Sequence, residues 1–256
     1  MNADGNYLDF GNFGYDTRVA MRRNQEPLRA KYPHLSGYSA FGSNPIMYSD
    51  LNGFDKWAAM FIVKQIDSEL RIISDKTSKS GFEHGLFVKH ENEGNKYKSL
   101  PVVTSHNTHN MNIANEYTKM GVNYENHTII VKAHGHVHNT AHSSGDIENL
   151  TNNEKPNYKK DDLSIRFSIV ETSDTRYVLE VIDRAKAGDI FQNKIGGPKG
   201  LFIKMSSIEQ NALDNGMNLI EAREKAIIGI VKEYEGSVNF YKSTGKNKNK
   251  LEEVEK

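Results

Sequence analysis

Residues 128–146 read TIIVKAHGHVHNTAHSSGD. The run Thr128-Ile129-Ile130-Val131 is short, apolar and mostly β-branched, which is typical of a buried strand. Four of the ten histidines of the chain follow that run, at positions 134, 136, 138 and 142. Side chains two residues apart on a strand point to the same face, so His134 and His136 can reach one metal ion. Asp146 can return as a third ligand from the following loop or helix start.

The composition narrows the kind of metal site. The chain has no cysteine, so histidine and carboxylate side chains are the strong metal ligands that remain. Two imidazoles and one carboxylate with an open fourth position suit a catalytic zinc ion, which would activate water to attack an amide carbonyl. Other interpretations stay open. His138 and His142 are possible alternative ligands, with His136 plus His138 as the main competitor, and the cluster can also be an incidental, solvated metal-binding loop.

Length and charge exclude several classes of protein. The 256 residues predict one or two domains, and 33 basic residues balance 33 acidic ones. A formal charge of zero argues against non-specific coating of nucleic acid. The mean hydropathy is −0.67 and no run approaches the ~18 apolar residues of a membrane span, so we expect a soluble chain. The first residues also lack the basic and apolar regions of a secretory signal peptide.

Local patterns predict an alternation of strands and helices. Alternating or short apolar runs predict strands at 57–63, 70–73, 82–88, 163–170, 177–182 and 200–204, with a helix as the alternative at 57–60. Helices are predicted at 111–120, from a cap at Ser206 and Ser207 to a break at Gly216, and at 219–234. This mixture predicts an α/β (α+β) class.

The N-terminal region carries a resemblance to a known family. Residues 1–56 are rich in Gly, Tyr, Asn and Pro, which predicts short strands and turns. Within them, residues 16–55 contain PLRAKYPHLS from Pro27 and later Asn44-Pro45 and Asp50-Leu51-Asn52-Gly53. This segment closely resembles the conserved end of the Rhs/YD-repeat core. The resemblance implies the tail of a β-rich shell followed by a variable C-terminal domain, often a toxin, although the stretch can also be a poorly packed remnant.

The histidine stretch carries a second resemblance. His134-x-His136 followed by Ser143-x-x-Asp146 resembles the JAB/JAMM (MPN-type) metallopeptidase motif, particularly the JAB-like toxin domains of Rhs proteins. The likeness covers about residues 78–182 and departs from the family at Val137, where proline is usual. It implies a cytidine-deaminase-like mixed sheet flanked by helices. It also implies that His134, His136 and Asp146 bind zinc, while the Ser143 hydroxyl orients water or the oxyanion.

The JAB/JAMM family also uses a glutamate from an earlier strand as general acid/base. The run Phe82-Glu83-His84-Gly85-Leu86-Phe87-Val88 has that form, so Glu83 is the predicted catalytic carboxylate. Glu91 and Glu93 are alternatives within a polar stretch. His106 and His109 belong to a polar run that predicts a surface loop or one wall of the substrate groove.

Together the two resemblances imply a domain plan and a function. Residues 1–56 would be the Rhs remnant, 57–242 the JAB/JAMM-like metallopeptidase toxin domain and 243–256 a charged flexible tail. The expected activity is that of a zinc-dependent peptidase or isopeptidase, in which metal-bound water attacks an amide carbonyl with Glu83 as general acid/base. The alternatives are a metal-dependent nuclease toxin and a non-catalytic metal-binding domain.

Partners and localisation are implied by the resemblance alone. The chain would be a secreted effector, delivered to a target cell as part of a larger Rhs-type chain. Its partners would be a protein substrate in that cell and a cognate immunity protein. Neither nucleic acid nor a membrane span belongs to this interpretation.

Overall fold

The computed structural model describes residues 7–9, 14–16, 21–22, 58–91, 96–108, 112–122, 129–152, 165–245, 248 and 250–254. The chain divides into two compact units, Met1–Ala58 and Ala59–Lys256. In the first unit, β1 (Tyr7–Asp9), β2 (Gly14–Asp16) and β3 (Met21–Arg22) pair antiparallel in that order. Residues 17–20 and 23–55 of the Rhs-like stretch lie outside the described residues, so that resemblance stays a prediction.

The second unit is built on a mixed sheet of eight strands. They are β4 (His84–Glu91), β5 (Lys96–Ser99), β6 (Val103–Thr104), β7 (Ile129–Gly135), β8 (Phe167–Glu171), β9 (Thr175–Val181), β10 (Val238–Thr244) and β11 (Glu252–Glu253). The order is β11-β10-β9-β8-β7-β4-β5, and β6 also pairs with β4. Only the central pair β7 and β8 is parallel among these described strands.

Seven α-helices flank the sheet within the described residues. They are α1 (Ala58–Gln65), α2 (Asp67–Ser80), α3 (Ile113–Lys119), α4 (Ser144–Thr151), α5 (Arg184–Asp189), α6 (Gly197–Asp214) and α7 (Leu219–Glu233). A π-helical turn, Ile190–Ile195, joins α5 to α6. The predicted α+β class, a mixed sheet flanked by helices, is therefore confirmed. No described helix combines the length and apolarity needed to cross a bilayer.

Strand register decides which residues share a face of the sheet. Lys132 and His134 of β7 pair with Ser168 and Val170 of β8, so these four side chains project from one face. That face carries the main apolar cluster, in which strands β8 to β10 pack on the later helices. Members of this cluster include Val170, Tyr177, Leu179, Phe191, Leu201, Ile227, Ile230 and Phe240. Helix α2 covers the opposite face.

Three predicted strands are wrong because short apolar runs are equally compatible with helices. Residues 57–63 and 70–73 fall largely in α1 and α2, and the buried positions Leu70, Ile73 and Thr77 have helical spacing. Residues 200–204 lie inside α6. This helix begins at Gly197, with a proline in its first turn, rather than at the predicted Ser206 cap.

The other predicted elements are confirmed with small changes of bounds. Strand 82–88 corresponds to β4, the β-branched run to β7, and strands 163–170 and 177–182 to β8 and β9. Helices 111–120 and 219–234 correspond to α3 and α7. The segment predicted as a charged tail contributes β11, which pairs with β10, and its residues Lys248 and Leu251 are buried.

Candidate metal centre

The two histidines closest to the apolar strand lie where β7 ends. His134 is the penultimate residue of β7, and His136 directly follows the strand. The backbone N–H of His136 donates to the carbonyl of Glu171 at 3.2 Å, which extends the β7–β8 pairing by one step. Between the histidines, a Cβ on Gly135 would lie 2.5 Å from Thr77 Oγ1 of α2. The glycine therefore allows α2 to approach the backbone of the site.

Asp146 of α4 completes a compact cluster with these histidines. The Nε2 atoms of His134 and His136 lie 3.0 Å apart. His134 Nε2 is 3.4 Å from Asp146 Oδ1, and His136 Nε2 is 3.7 Å from Asp146 Oδ2. One ligand atom from each residue lies within 4.8 Å of the others. This group could hold a metal ion.

The donor chemistry of the cluster fits a cation. His136 Nδ1 lies 2.8 Å from the carbonyl of Thr140, so this nitrogen donates and leaves a lone pair on Nε2. Burial, together with the nearby His134, lowers the pKa of His136 to about 3, so the ring is neutral. His136 Nε2 carries a lone pair and lies 3.0 Å from His134 Nε2. Either His134 Nε2 carries a proton that it donates to this lone pair, or both nitrogens bind one cation.

Asp146 is held by the first turn of its own helix. Ser143 is the N-cap of α4, and its backbone N–H and hydroxyl donate to Asp146 Oδ2 at 2.9 and 2.8 Å. In return, the Asp146 N–H donates to Ser143 Oγ, so Ser143-x-x-Asp146 is a capping box. Although burial raises it, His134 and Lys132 hold the pKa of the Asp146 carboxyl well below its usual range.

Glu83 reaches the same site from the sequence just before β4. Its backbone N–H donates to the carbonyl of Asn107 at 2.9 Å, and its own carbonyl accepts from the Thr104 hydroxyl at 3.0 Å. The residue is only 6 % exposed and lines a cavity of about 320 Å³ together with the three cluster residues. Burial raises the pKa of Glu83 to about 7, with Asp146 adding to the rise and His134 opposing it.

The two alternative histidines lie outside the cluster. His138 is exposed and lines the cavity. His142 is fully buried, and its Nε2 lies 2.9 Å from the carbonyl of Ser168 on β8. Burial lowers the pKa of His142 to about 4. The ligand atoms that meet are therefore those of His134, His136 and Asp146, and the catalytic roles assigned from the sequence stay predictions.

The polar loop before α3 supports the site without joining the cluster. Thr108 lines the cavity, and Asn107 fixes the backbone of Glu83 as described above. His106 is exposed and packs edge-on against Phe82, with ring centroids 5.7 Å apart. His109, Glu93 and the side chain of Glu91 lie outside the described residues.

One cationic residue at the site is not singled out by the sequence patterns. Lys132 Nζ lies 3.3 Å from Asp146 Oδ1, and the lysine side chain is only 12 % exposed. The sequence could have indicated Lys132 by its position two residues before His134, because that spacing puts both side chains on one face of β7. Asn149, three residues after Asp146 on α4, also lines the cavity.

No protein-family model, curated protein or solved structure matches the chain. Inference about function therefore depends on the residues of the site and on the motif resemblances. The described residues bring together His134, His136, Asp146, Glu83 and Lys132 at the end of β7.

Proposed function

We propose that the second unit is a zinc-dependent hydrolase of amide bonds, a peptidase or isopeptidase of JAB/JAMM-like type. One observation carries the proposal. Two imidazoles and a carboxylate place their ligand atoms within 4.8 Å of one another, and the same cavity contains a buried fourth side chain, Glu83, that is outside the ligand group. Hydrolytic metal sites need this division between ligands and a separate proton carrier.

His134, His136 and Asp146 would hold the zinc ion. Two imidazole nitrogens and one carboxylate suit zinc better than magnesium or calcium, which prefer all-oxygen ligands. A bound zinc ion supplies Lewis acidity, which lowers the pKa of a water molecule and polarises a carbonyl oxygen. The carbonyl of Thr140 keeps His136 in the tautomer whose Nε2 is free to bind metal.

Glu83 and Ser143 have different roles in this proposal. The Glu83 carboxylate accepts a proton from the attacking water and returns it to the leaving amine nitrogen. Ser143 is a positioning residue, because its hydroxyl donates to the carboxylate of Asp146 at 2.8 Å. Because this single O–H is donated to Asp146, the hydroxyl can stabilise an oxyanion only if it turns away from that carboxylate.

The biological setting is proposed from the Rhs resemblance of residues 16–55. In that setting the hydrolase is the C-terminal toxin of an Rhs-type effector, delivered as part of a longer chain. Its substrate is a protein of the target cell, and a cognate immunity protein blocks it in the producing cell. The balanced formal charge argues against the nuclease alternative.

Metal content and toxicity together test the proposal. The wild type and the His134→Ala, Asp146→Ala and Glu83→Gln variants are purified for zinc analysis, and each is expressed in bacteria to score toxicity. We expect both ligand variants to lose stoichiometric zinc, whereas Glu83→Gln keeps zinc and loses toxicity. His138→Ala tests the ligand register, and we expect it to retain zinc.

Two outcomes would count against the proposal. Zinc that stays in His134→Ala or Asp146→Ala means that the metal is bound elsewhere. Toxicity that survives in Glu83→Gln favours a nuclease or a non-catalytic metal-binding domain, because neither depends on Glu83 for proton transfer.

A further inference from the structure

A second, smaller cavity of about 120 Å³ adjoins the metal centre. Three residues line both cavities: Lys132, Asp146 and Asn149. The walls of the second cavity include the apolar side chains of Phe87 and Ile113. It therefore forms a side pocket with apolar walls, next to the place where the proposed hydrolase would bind the scissile bond.

Two hydrogen-bond donors from adjacent strands line this side pocket. Lys132 and Ser168 are register partners in the parallel pair β7–β8, so both side chains project from the same face. Ser168 is only 2 % exposed, and its hydroxyl has no hydrogen-bond partner among the described residues. An unpaired buried hydroxyl costs free energy, so its presence beside a cavity points to a ligand that would pair with it.

The positive charge of Lys132 is only partly compensated by other groups of the protein. Its ammonium has three N–H donors, and Asp146 Oδ1 lies 3.3 Å from Nζ. Asp146 in turn faces the two imidazoles, and Ser143 occupies its other oxygen. When Asp146 ligates a metal ion, the lysine is left beside a group whose charge is neutralised by that ion.

We infer, on the premise of the proposed hydrolase, that the side pocket binds the acidic side chain of a glutamate or aspartate next to the scissile amide. A carboxylate accepts hydrogen bonds only, which matches the ammonium of Lys132 and the hydroxyl of Ser168. The methylene groups of such a side chain pack on the apolar walls. The substrate class is thus a protein segment with an acidic residue at the cleavage site.

A binding measurement tests the pocket separately from catalysis. The probes are N-acetyl-glutamate N-methylamide and its glutamine analogue, which have the same shape but carry a charged carboxylate and a neutral amide, respectively. They are titrated by NMR into the full chain saturated with zinc, because the metal ion would engage Asp146 and leave the lysine charge to the probe. Direct binding of the carboxylate to zinc would persist in a variant that lacks the lysine charge, so that variant distinguishes the two modes of binding. We expect the glutamate probe to bind at least about tenfold more tightly, since a charge-assisted hydrogen bond distinguishes the two probes.

Two variants test whether the preference for the glutamate probe arises in the side pocket. Lys132→Met keeps a long unbranched side chain and removes its charge, so the preference should disappear. Ser168→Ala deletes a single unpaired hydroxyl and should weaken binding of both probes. If Lys132→Met does not fold, the affinity of Ser168→Ala for the two probes decides whether they bind in the side pocket. Equal binding of the two probes by the wild type, or unchanged binding in the variants that fold, would overturn the inference.

A cleavage assay separates this inference from the proposed function. Zinc-loaded wild type is given matched peptides that carry Glu or Gln next to the same bond, and a preference for Glu is expected. Cleavage without that preference overturns the pocket and leaves the hydrolase standing. Preferential binding of the glutamate probe without any cleavage supports the pocket as an acidic-ligand site and counts against the hydrolase.

Discussion

Gly135 separates the two proposed histidine ligands and shows how one atom constrains the site. Its missing Cβ leaves room for Thr77 Oγ1 and Ile73 of α2, which would lie 2.5 and 3.0 Å from an added Cβ. The backbone that carries His134 and His136 is therefore in close contact with a helix. Gly135 thus links the packing of α2 on one face of the sheet to the positions of the two histidines, which project from the other face.

Replacing this glycine should disturb both stability and metal binding. We expect Gly135→Ala to lower the free energy of unfolding by about 1–3 kcal/mol, because overpacking forces the strand or helix to move. Zinc affinity should fall as the histidines shift. Gly145→Ala is the matched control, since its Cβ would meet only Ser143 Oγ at 3.7 Å. Urea unfolding and zinc titration check both variants, and equal behaviour of the two would refute the steric argument.

Glu83 should make stability depend on pH. Its pKa in the folded metal-free protein is about 7, above the ordinary value of 4.5, so the folded state binds the proton more tightly. The free energy of unfolding should therefore decrease as pH rises from about 4.5 to about 7, and then level off with respect to this group. Glu83→Gln removes this contribution.

Urea unfolding in EDTA at several pH values checks this prediction. The stability advantage of Glu83→Gln over the wild type should be small at acidic pH and larger above neutral pH. A difference that does not change with pH would show that Glu83 titrates normally in the folded protein.

At the scale of elements, helix α4 presents one residue of the candidate metal cluster through its own N-terminal cap. Asp146 is both the acidic member of the capping box and the third residue of the metal cluster. Helix α7 has a similar box, formed by Asn218 and Glu221, that belongs to no metal cluster among the described residues. A comparison of variants in the two capping boxes therefore distinguishes the effect of an N-cap on stability from its effect on the orientation of Asp146.

Removing each cap should have different consequences. We expect Ser143→Ala and Asn218→Ala each to lower stability by about 0.5–2 kcal/mol, the usual cost of losing an N-cap. Only Ser143→Ala should also weaken zinc binding, by about 10–100-fold, because Asp146 loses a group that orients it. Thermal unfolding and competition with a zinc chelator measure the two effects. Similar zinc affinity in both variants would mean that Ser143 acts only as a cap.

At the scale of the whole molecule, one buried ion network connects distant parts of the second unit. Arg176 of β9 is fully buried, and its guanidinium donates to Glu171 of β8 at 2.7 Å and to Asp67 of α2 at 2.9 Å. Lys248 donates to the same glutamate at 2.9 Å. The carbonyl of Lys248 accepts from Arg176 at 3.1 Å, so the C-terminal segment is tied to the sheet.

Breaking this network should be costly. We expect Arg176→Met to lower the free energy of unfolding by about 3–5 kcal/mol, because Glu171 would remain buried without its main partner. Lys79→Ala is the control, since its ion pair with Asp75 is exposed and worth at most about 1 kcal/mol. Urea unfolding compares the two variants. A loss for Arg176→Met as small as that of the control would mean that the network contributes little.

Some features of the site follow from residues that are close in sequence. Two histidines at i and i+2 in extended backbone share a face whatever the rest of the fold does. His134 near the end of β7 and His136 just after it have this geometry, with their Nε2 atoms 3.0 Å apart. The Ser143-x-x-Asp146 spacing likewise forms a capping box within one helical turn. Such short-range relations are set by backbone geometry, so the sequence by itself determined each of these two local pairs. The packing of α4 on the sheet then brings Asp146 to the two histidines.

Other features depended on pairing between distant segments. The described part of the run at 57–63 and the run at 70–73 lie in helices, because a short apolar run fits either a strand or a helix and tertiary packing decides between them. Lys132 meets Ser168 only through the parallel register of β7 and β8, and Glu83 reaches the cavity only through the antiparallel register of β4 and β7. A shift of one residue would turn either side chain to the opposite face. The tertiary structure therefore decided where Lys132, Ser168 and Glu83 lie relative to the candidate ligands, because strand register is set by packing of the whole sheet.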